Sequence, residues 1–317
     1  MIKIFLADPM LHTPFINKQH VKFLNQHQIF ITDDRTECDI IVSRRMRFLL
    51  PYRIQDILGK KQYLIWTHEP RFDTHFKNIN EGFLWLKKVY IMNVYTGDIY
   101  LRNYTIYHWQ INQNLPMLTQ ENFKEFKNKK VAALMLYRNN KYRWSLQKDG
   151  KELDLCYLRT RIALEGHKLN KIDIYGKGWP SGISIENSRG SGWSDRKGEI
   201  LNNYHFNLCF ENTNYPHYCT EKIWDSIRCG CLPIYYGNQN KIYEDFPKNS
   251  FLDYCDFKNP AELYEYIDQM DVEEFRRRMN LCIGVYNRIY QEKSSNIHVE
   301  EMLLKIVEKL KQITQYK

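Results

Sequence analysis

With 317 residues, the chain is long for a single core and suited to two domains of ordinary size. Its 43% hydrophobic and 26% charged residues, with aromatics at 15%, place it among folded globular proteins and exclude disorder on a large scale. The formal net charge of +9 implies an anionic partner: a phosphorylated substrate, nucleic acid or an acidic membrane surface, unless the basic surface is merely solvated.

The first apolar run, 2–6, is stopped by Asp8 and Pro9; it is too short for a signal-peptide core and reads as a strand. No stretch approaches the roughly 20 apolar residues of a membrane-spanning helix, so a Golgi-type anchor is not expected and the chain is expected in the cytosol. Further strands are expected at 29–32, 39–42, 62–66, 89–93 and 105–108, separated by helical or irregular segments such as 17–26 and 48–58. That alternation marks an α/β layer with a mostly parallel sheet. The polar, proline-bearing stretch 110–130 sets a boundary near 125, giving a first lobe over 1–125.

A second alternation follows: a strand at 131–137, a helix near 155–168, a strand at 172–175, a Gly/Ser-rich loop at 177–198, a helix around 199–204, a strand at 205–210, a helix at 220–229 and a strand at 232–236. This predicts a second doubly wound lobe over 126–292, so two lobes with a cleft between them. Over 293–317, Val299, Met302, Leu303, Ile306, Leu310 and Ile313 recur at helical spacing opposite Glu300, Lys305, Glu308, Lys309 and Lys311. Packing of this stripe on the protein's own lobes outweighs membrane attachment, though the basic polar face is compatible with peripheral contact at the inner face of a membrane.

The eight cysteines form no CxxC pair and no His/Cys cluster at zinc spacing, and Cys229-Gly-Cys231 reads as small residues flanking a helix-ending glycine. Asp33-Asp34 reads as a turn, and no Asp-x-Asp stands at a strand end, so no metal site is expected.

The chemistry concentrates at Phe206-Asn-Leu-Cys-Phe-Glu211-Asn212-Thr213, Tyr218-Cys-Thr220-Glu221-Lys222-Ile-Trp-Asp225 and Gly230-Cys-Leu-Pro233-Ile-Tyr-Tyr-Gly237, a strand, loop, helix and strand. The loop lies past the carboxyl end of a parallel strand, where open α/β sheets bind ligands. Thr220 falls at the helix N-cap, so the helix offers first-turn N–H groups and its positive dipole end to an anion. Lys222 in that first turn opposes the dipole preference, which an anionic ligand shared by both would relieve. A plain βαβ unit explains the apolar residues and caps; it does not explain Glu211, Asn212, Glu221 and Lys222 crowding one turn. Pro233 and Gly237 read as turn and close-approach signals.

These segments, with Phe246-Pro-Lys-Asn-Ser-Phe-Leu-Asp253, resemble the signature of the α-1,3-fucosyltransferases of glycosyltransferase family 10, the bacterial ones in particular. The chain departs from it with Asn214-Tyr-Pro-His217 in place of a glycine-rich turn, and in lacking long heptad repeats. The resemblance implies a GT-B fold of two Rossmann-like lobes, with GDP-fucose held by the second lobe and the acceptor approached from the first. It implies that Glu221 binds the ribose hydroxyls and Lys222 the diphosphate, with Glu211, Asn212, Tyr218 and Thr220 in the same site. An upstream arginine also grips the phosphates: Arg161 is favoured, Arg159 the alternate. In the first lobe, Trp66-Thr67-His68-Glu69-Pro70 and Gly97-Asp98-Ile-Tyr100-Leu101-Arg102 resemble the family's landmarks, which makes Glu69 the expected base and His68 its alternate.

The expected activity is transfer of fucose from GDP-fucose with inversion onto an oligosaccharide hydroxyl, by default the GlcNAc of a lactosamine-type glycan, without a divalent ion. Another nucleotide sugar on the same scaffold is the nearest rival. Nucleic-acid binding is the rival from a different class, although the lysines are scattered and no RNP, KH or helix-turn-helix pattern is present.

Overall fold

The computed structural model describes residues 1–81, 86–187, 190, 192–293 and 297–315, in two compact units: Met1–Thr105 with Asn296–Lys317, and Ile106–Ser295. The break therefore falls at Thr105 rather than near 125. The polar stretch expected to link two lobes is instead laid along the second unit. Its extended backbone at Leu115 and Leu118 exchanges paired hydrogen bonds with the side-chain amides of Asn287 and Asn280 at 2.7 to 2.9 Å, so two asparagines do the work of a neighbouring strand.

The first unit contains β1 (Ile2–Leu6), α1 (Lys18–Gln26), β2 (Ile29–Ile31), β3 (Ile40–Ser43), α2 (Met46–Gln55), β4 (Gln62–Trp66), β5 (Ile79–Asn80) and β6 (Val89–Met92). Its sheet runs β2-β1-β3-β4-β6-β5, parallel except for the edge strand β5. The strands read as continuous Ile/Val/Leu runs because a parallel sheet is covered on both faces; Ile4, Ile40, Val42, Leu64 and Ile91 are fully buried. The strand expected at 105–108 does not form. Thr105 instead closes a turn with Arg102, its hydroxyl accepting from Arg102 N at 2.8 Å.

The second unit contains β7 (Val131–Leu134), α3 (Lys141–Trp144), the hairpin β8 (Gln147–Lys148) and β9 (Lys151–Glu152), α4 (Cys156–Lys168), β10 (Ile172–Tyr175), β11 (Ser184–Glu186), α5 (Trp193–Leu201), β12 (Phe206–Leu208), α6 (Glu221–Arg228), β13 (Leu232–Tyr235), β14 (Leu252–Asp253), α7 (Pro260–Gln269) and α8 (Val272–Glu292). Its large sheet is all parallel, in the order β11-β10-β7-β12-β13-β14, the doubly wound order of a dinucleotide-binding domain. The loop expected over 177–198 is interrupted by β11 and the start of α5, and Pro233 lies inside β13 rather than at a turn. Gly230, with φ of +77°, ends α6 as expected, Cys231 N returning to Ser226 O at 2.9 Å.

The last helix, α9 (Ile297–Gln315), packs its apolar stripe on α1 and β1 of the first unit. Lys309, expected on the polar face, is buried: its ammonium donates to Asp98 Oδ2 at 3.2 Å and Asn78 Oδ1 at 3.0 Å. Among the described residues, no helix is long and apolar enough to cross a membrane.

Candidate functional site

The strand order of the second unit reverses at β7, between β10 and β12, and the crevice beyond the carboxyl ends at such a switch is where these sheets receive ligands. Segment 135–138 after β7, the first turns of α4 and the loop 209–220 after β12 converge there. The loop is laced on one side to the end of the hairpin, by Asn214 N to Leu153 O at 2.7 Å and Leu155 N to Asn212 O at 3.1 Å. On the other, Asn214 Nδ2 donates to Asn238 O at 2.8 Å and His217 N to Asn240 O at 2.9 Å.

Glu211 is buried at the start of this loop, 2% exposed, yet satisfied. Its Oε1 accepts from Thr220 N at 2.7 Å and from Tyr235 OH at 3.3 Å; its Oε2 accepts from Thr220 Oγ1 at 2.7 Å and from Lys222 Nζ at 2.8 Å. Burial pushes the Tyr235 phenol well up, which keeps it a donor. Lys222 Nζ also donates to Thr220 Oγ1 at 2.6 Å. Thr220 thus occupies the N-cap position of α6 without capping it: its hydroxyl is spent on Glu211 and Lys222 rather than on the helix amides. The geometry makes Glu211 and Thr220 the frame that aims Lys222.

Glu221, the first residue of α6, is half-buried with Lys197 of α5 at 3.6 Å; Lys197 also pairs with buried Asp225 at 2.6 Å. Burial pushes the Glu221 carboxyl up, but the Lys222 and Lys197 charges outweigh it and hold it at about 2. Lys197 falls in the stretch 177–198 that the sequence presents as loop, so its contribution was not legible.

Of the two arginines on α4, the structure brings Arg159 to the site and leaves Arg161 exposed, reversing the sequence preference. Arg159 Nη1 donates to Phe210 O at 2.6 Å and Nη2 to Asn212 Oδ1 at 3.0 Å. The phase of the helix decides this: Cys156, Arg159, Thr160 and Ala163 share the buried face. Arg138, not singled out in the sequence, stands just past β7, its guanidinium 4.2 Å over the Trp144 ring and 3.0 Å from Cys156 Sγ. Tyr218 is buried rather than displayed.

In the first unit, Glu69 and His68 stand beyond the carboxyl end of β4, both half-buried. Glu69 occupies the N-cap of the 3-10 turn Pro70–Phe72 and its amide donates to Thr67 Oγ1 at 3.2 Å; the His68 ring packs edge-on against Trp66 at 4.3 Å. In the second sequence landmark, Gly97, with φ of +68°, ends a short 3-10 turn and Asp98 takes Lys309 from α9. Among the described residues, no group of three or more His, Cys, Asp and Glu is placed to hold a metal ion.

Residues 151–280, which lie within the second unit, match the family model described as Glycosyltransferase family 10 (fucosyltransferase) C-term. The chain is 43% identical over 86 residues to Alpha-(1,3)-fucosyltransferase FucT of Helicobacter pylori, covering 27% of this chain and 18% of that protein. It is 30% identical over 128 residues to 3-galactosyl-N-acetylglucosaminide 4-alpha-L-fucosyltransferase FUT3 of Homo sapiens, covering 39% of this chain and 31% of the relative. The matched stretch thus spans less than a third of either relative. A crystal structure of an alpha1,3-fucosyltransferase is similar in fold, with a TM-score of 0.50 at 17% identity over 98% of this chain and 90% of that one. The fold is GT-B, two Rossmann-like lobes, as the sequence implied.

Proposed function

We propose that this chain, a member of glycosyltransferase family 10 through residues 151–280, transfers L-fucose from GDP-fucose to an oligosaccharide hydroxyl with inversion at the anomeric carbon. The observation that carries the reading is the Glu211–Thr220–Lys222 frame at the switch point of the second unit. It holds an ammonium at the positive end of α6, an arrangement suited to a diphosphate. In this reading Lys222 and Arg159 take the charge that develops on the GDP leaving group, Glu221 accepts from the ribose hydroxyls, and Asn212 orients Arg159. Tyr218 packs the loop that carries them.

Glu69 removes the proton from the acceptor hydroxyl as its oxygen attacks C1 of fucose; the C1–O bond to the β-phosphate breaks and its electrons leave with GDP. The transition state is oxocarbenium-like, and a β-linked donor gives an α-linked product without a covalent enzyme intermediate. Lysine and arginine carry the leaving-group charge, so the scheme assigns no step to a divalent ion. The acceptor assigned is the GlcNAc of a lactosamine-type glycan, linked α-1,3.

The test is incubation of the chain with GDP-fucose and a panel of glycans, with mass and linkage analysis of the products. An α-1,3-fucosylated product is the expected result. Transfer from a UDP- or CMP-sugar in place of GDP-fucose overturns the donor assignment, and no transfer to any glycan overturns the reaction.

A further inference from the structure

Helix α2 covers the core of the first unit with one face and leaves the other to solvent. On the inner side Leu49 is buried in a cluster with Ile41, Tyr63, Ile65 and Val89, and Met46 and Tyr52 pack against it. The outer side is apolar as well. Leu50 and Ile54, one turn apart, are 41% and 47% exposed, and in the turn that follows the helix Ile57 is 38% and Leu58 98% exposed. A surface helix ordinarily turns charged residues outward; one that is apolar all round is a helix covered on both sides. Scattered exposed apolar side chains are commonplace, but four crowded on one short segment form a patch of the kind that marks an interaction surface.

The charge around the patch says what covers it. From 45 to 61 the sequence carries Arg45, Arg47, Arg53, Lys60 and Lys61 against one acid, Asp56. The Asp56 carboxylate is engaged on the protein's own side, its Oδ2 accepting from Lys87 Nζ at 3.1 Å and from Tyr63 OH at 3.2 Å, and Arg53 is buried. Arg45, Arg47 and Lys60 are exposed and flank the apolar residues at the two ends of the segment. Arg45 is the N-cap of α2 and Arg47 stands in its first turn, which holds no acidic residue. Both cations are set against the positive end of the helix dipole, a cost that an anion would relieve.

A second copy docked through the same patch would bring these cations together, since an isologous contact pairs a surface with itself. An anionic bilayer satisfies both features, the acyl boundary taking Leu50, Ile54, Ile57 and Leu58 and the phosphate headgroups taking the flanking cations. The apolar stripe of α9 is already taken up by α1 and β1. We propose that the outer face of α2, with the turn that leads to Lys60, docks the chain on the surface of an anionic lipid bilayer. The donor site belongs to the second unit, so this docking stands apart from the sugar transferred.

The experiment is sedimentation of the whole chain with vesicles of equimolar phosphatidylglycerol and phosphatidylcholine, and with vesicles of phosphatidylcholine alone. The expected result is at least ten-fold tighter binding to the anionic vesicles at low salt, an advantage that shrinks at high salt. Ile54→Glu and Leu58→Glu should each weaken that binding about ten-fold or more, the scale of one aliphatic side chain kept out of the apolar layer. Arg47→Gln should weaken it about five-fold, the worth of one cation at an anionic surface. Leu304→Glu, at a 44% exposed position of α9, should leave it near the parent value. Thermal unfolding of each variant confirms that it is folded, since all these side chains are exposed in whole or in part. Equal binding to the two vesicles, or none to either, overturns the proposal. Binding that survives both Ile54→Glu and Leu58→Glu overturns it as well, for the attraction is then charge alone, and so does release by Leu304→Glu in their place. A dimer in the absence of vesicles that Ile54→Glu dissolves would give the face to a second copy and overturn the bilayer as its occupant.

Discussion

Lys222 Nζ stands 2.8 Å from Glu211 Oε2, the ammonium partly open to solvent and the carboxylate buried. The pair is asymmetric in what it leaves behind when cut. Glu211 collects four donors, the amide and hydroxyl of Thr220, the Tyr235 hydroxyl and the Lys222 ammonium, so removing it strands all four; removing Lys222 leaves the carboxylate its hydroxyl and amide partners. Glu211→Ala should therefore lose about 3–5 kcal/mol of stability, the scale of a broken buried pair. Lys222→Ala should lose less stability and most of the GDP affinity. Urea denaturation and calorimetry separate the two, and equal stability losses would make the lysine a structural partner rather than a ligand-binding one.

Two arginines two positions apart on α4 provide the next contrast. Arg159 is buried against Phe210 O and Asn212, whereas Arg161 is exposed on the outer face. Arg159→Lys keeps the charge and gives up the planar fork, so it should weaken GDP binding about ten-fold or more. Arg161→Ala should leave GDP binding and stability near the parent values. Matching losses at the two positions would mean that the exposed arginine also reaches the donor.

The relation of these residues to the sequence is instructive. The strands around both switch points were legible because doubly covered parallel strands are continuous apolar runs, as at Ile40–Ser43 and Val131–Leu134. The 205–237 motif was legible because polar residues crowd a strand-to-helix turn. Arg161 was preferred to Arg159, although the spacing of Cys156, Thr160 and Ala163 holds the phase that favours Arg159. Helices α7 and α8 passed unassigned despite Asn259 before Pro260 and Asp271 before Glu274, both N-cap signatures. The burial of Lys309 could not be read locally, since its partners Asn78 and Asp98 lie far back in the chain.

That last contact gives a stability prediction. Lys309 and Asp98 are both buried, and burial raises the Asp98 carboxyl although Lys309 pulls it down. Lys309→Ala strands the carboxylate and should cost about 3–5 kcal/mol, whereas Lys309→Met with Asp98→Asn removes both charges and should recover most of the loss. Thermal unfolding of Lys309→Met, Asp98→Asn and the double variant, beside Lys309→Ala, checks it. Additive losses would show that the pair is not coupled.

Glu221 predicts a pH dependence. Its folded carboxyl is held at about 2, below the ordinary 4.5, so the ionised form stabilises the fold. That contribution is complete above the ordinary value and is lost as pH falls from there toward about 2. Lys197 is one of the two charges responsible, so Lys197→Met should move the acid loss of both stability and GDP affinity to higher pH. Lys197→Arg should restore the parent profile. An unshifted acid limb in Lys197→Met would assign the effect to Lys222 alone.

The remaining prediction separates proton transfer from donor binding. Glu69 belongs to the first unit and Lys222 to the second, and in the proposed reaction they act on different bonds. Glu69→Gln keeps the side-chain shape and removes its basicity, so GDP-fucose affinity should stay near the parent value while turnover falls by roughly 100-fold or more, the lower end of general-base catalysis. His68 is the adjacent group that could take the proton, and its ring is fixed edge-on against Trp66. A Glu69→Gln chain that keeps most of its turnover moves the base to His68, and His68→Asn then becomes the variant that should be inactive. Loss of GDP-fucose affinity in Glu69→Gln would contradict the assignment of base and donor site to different units.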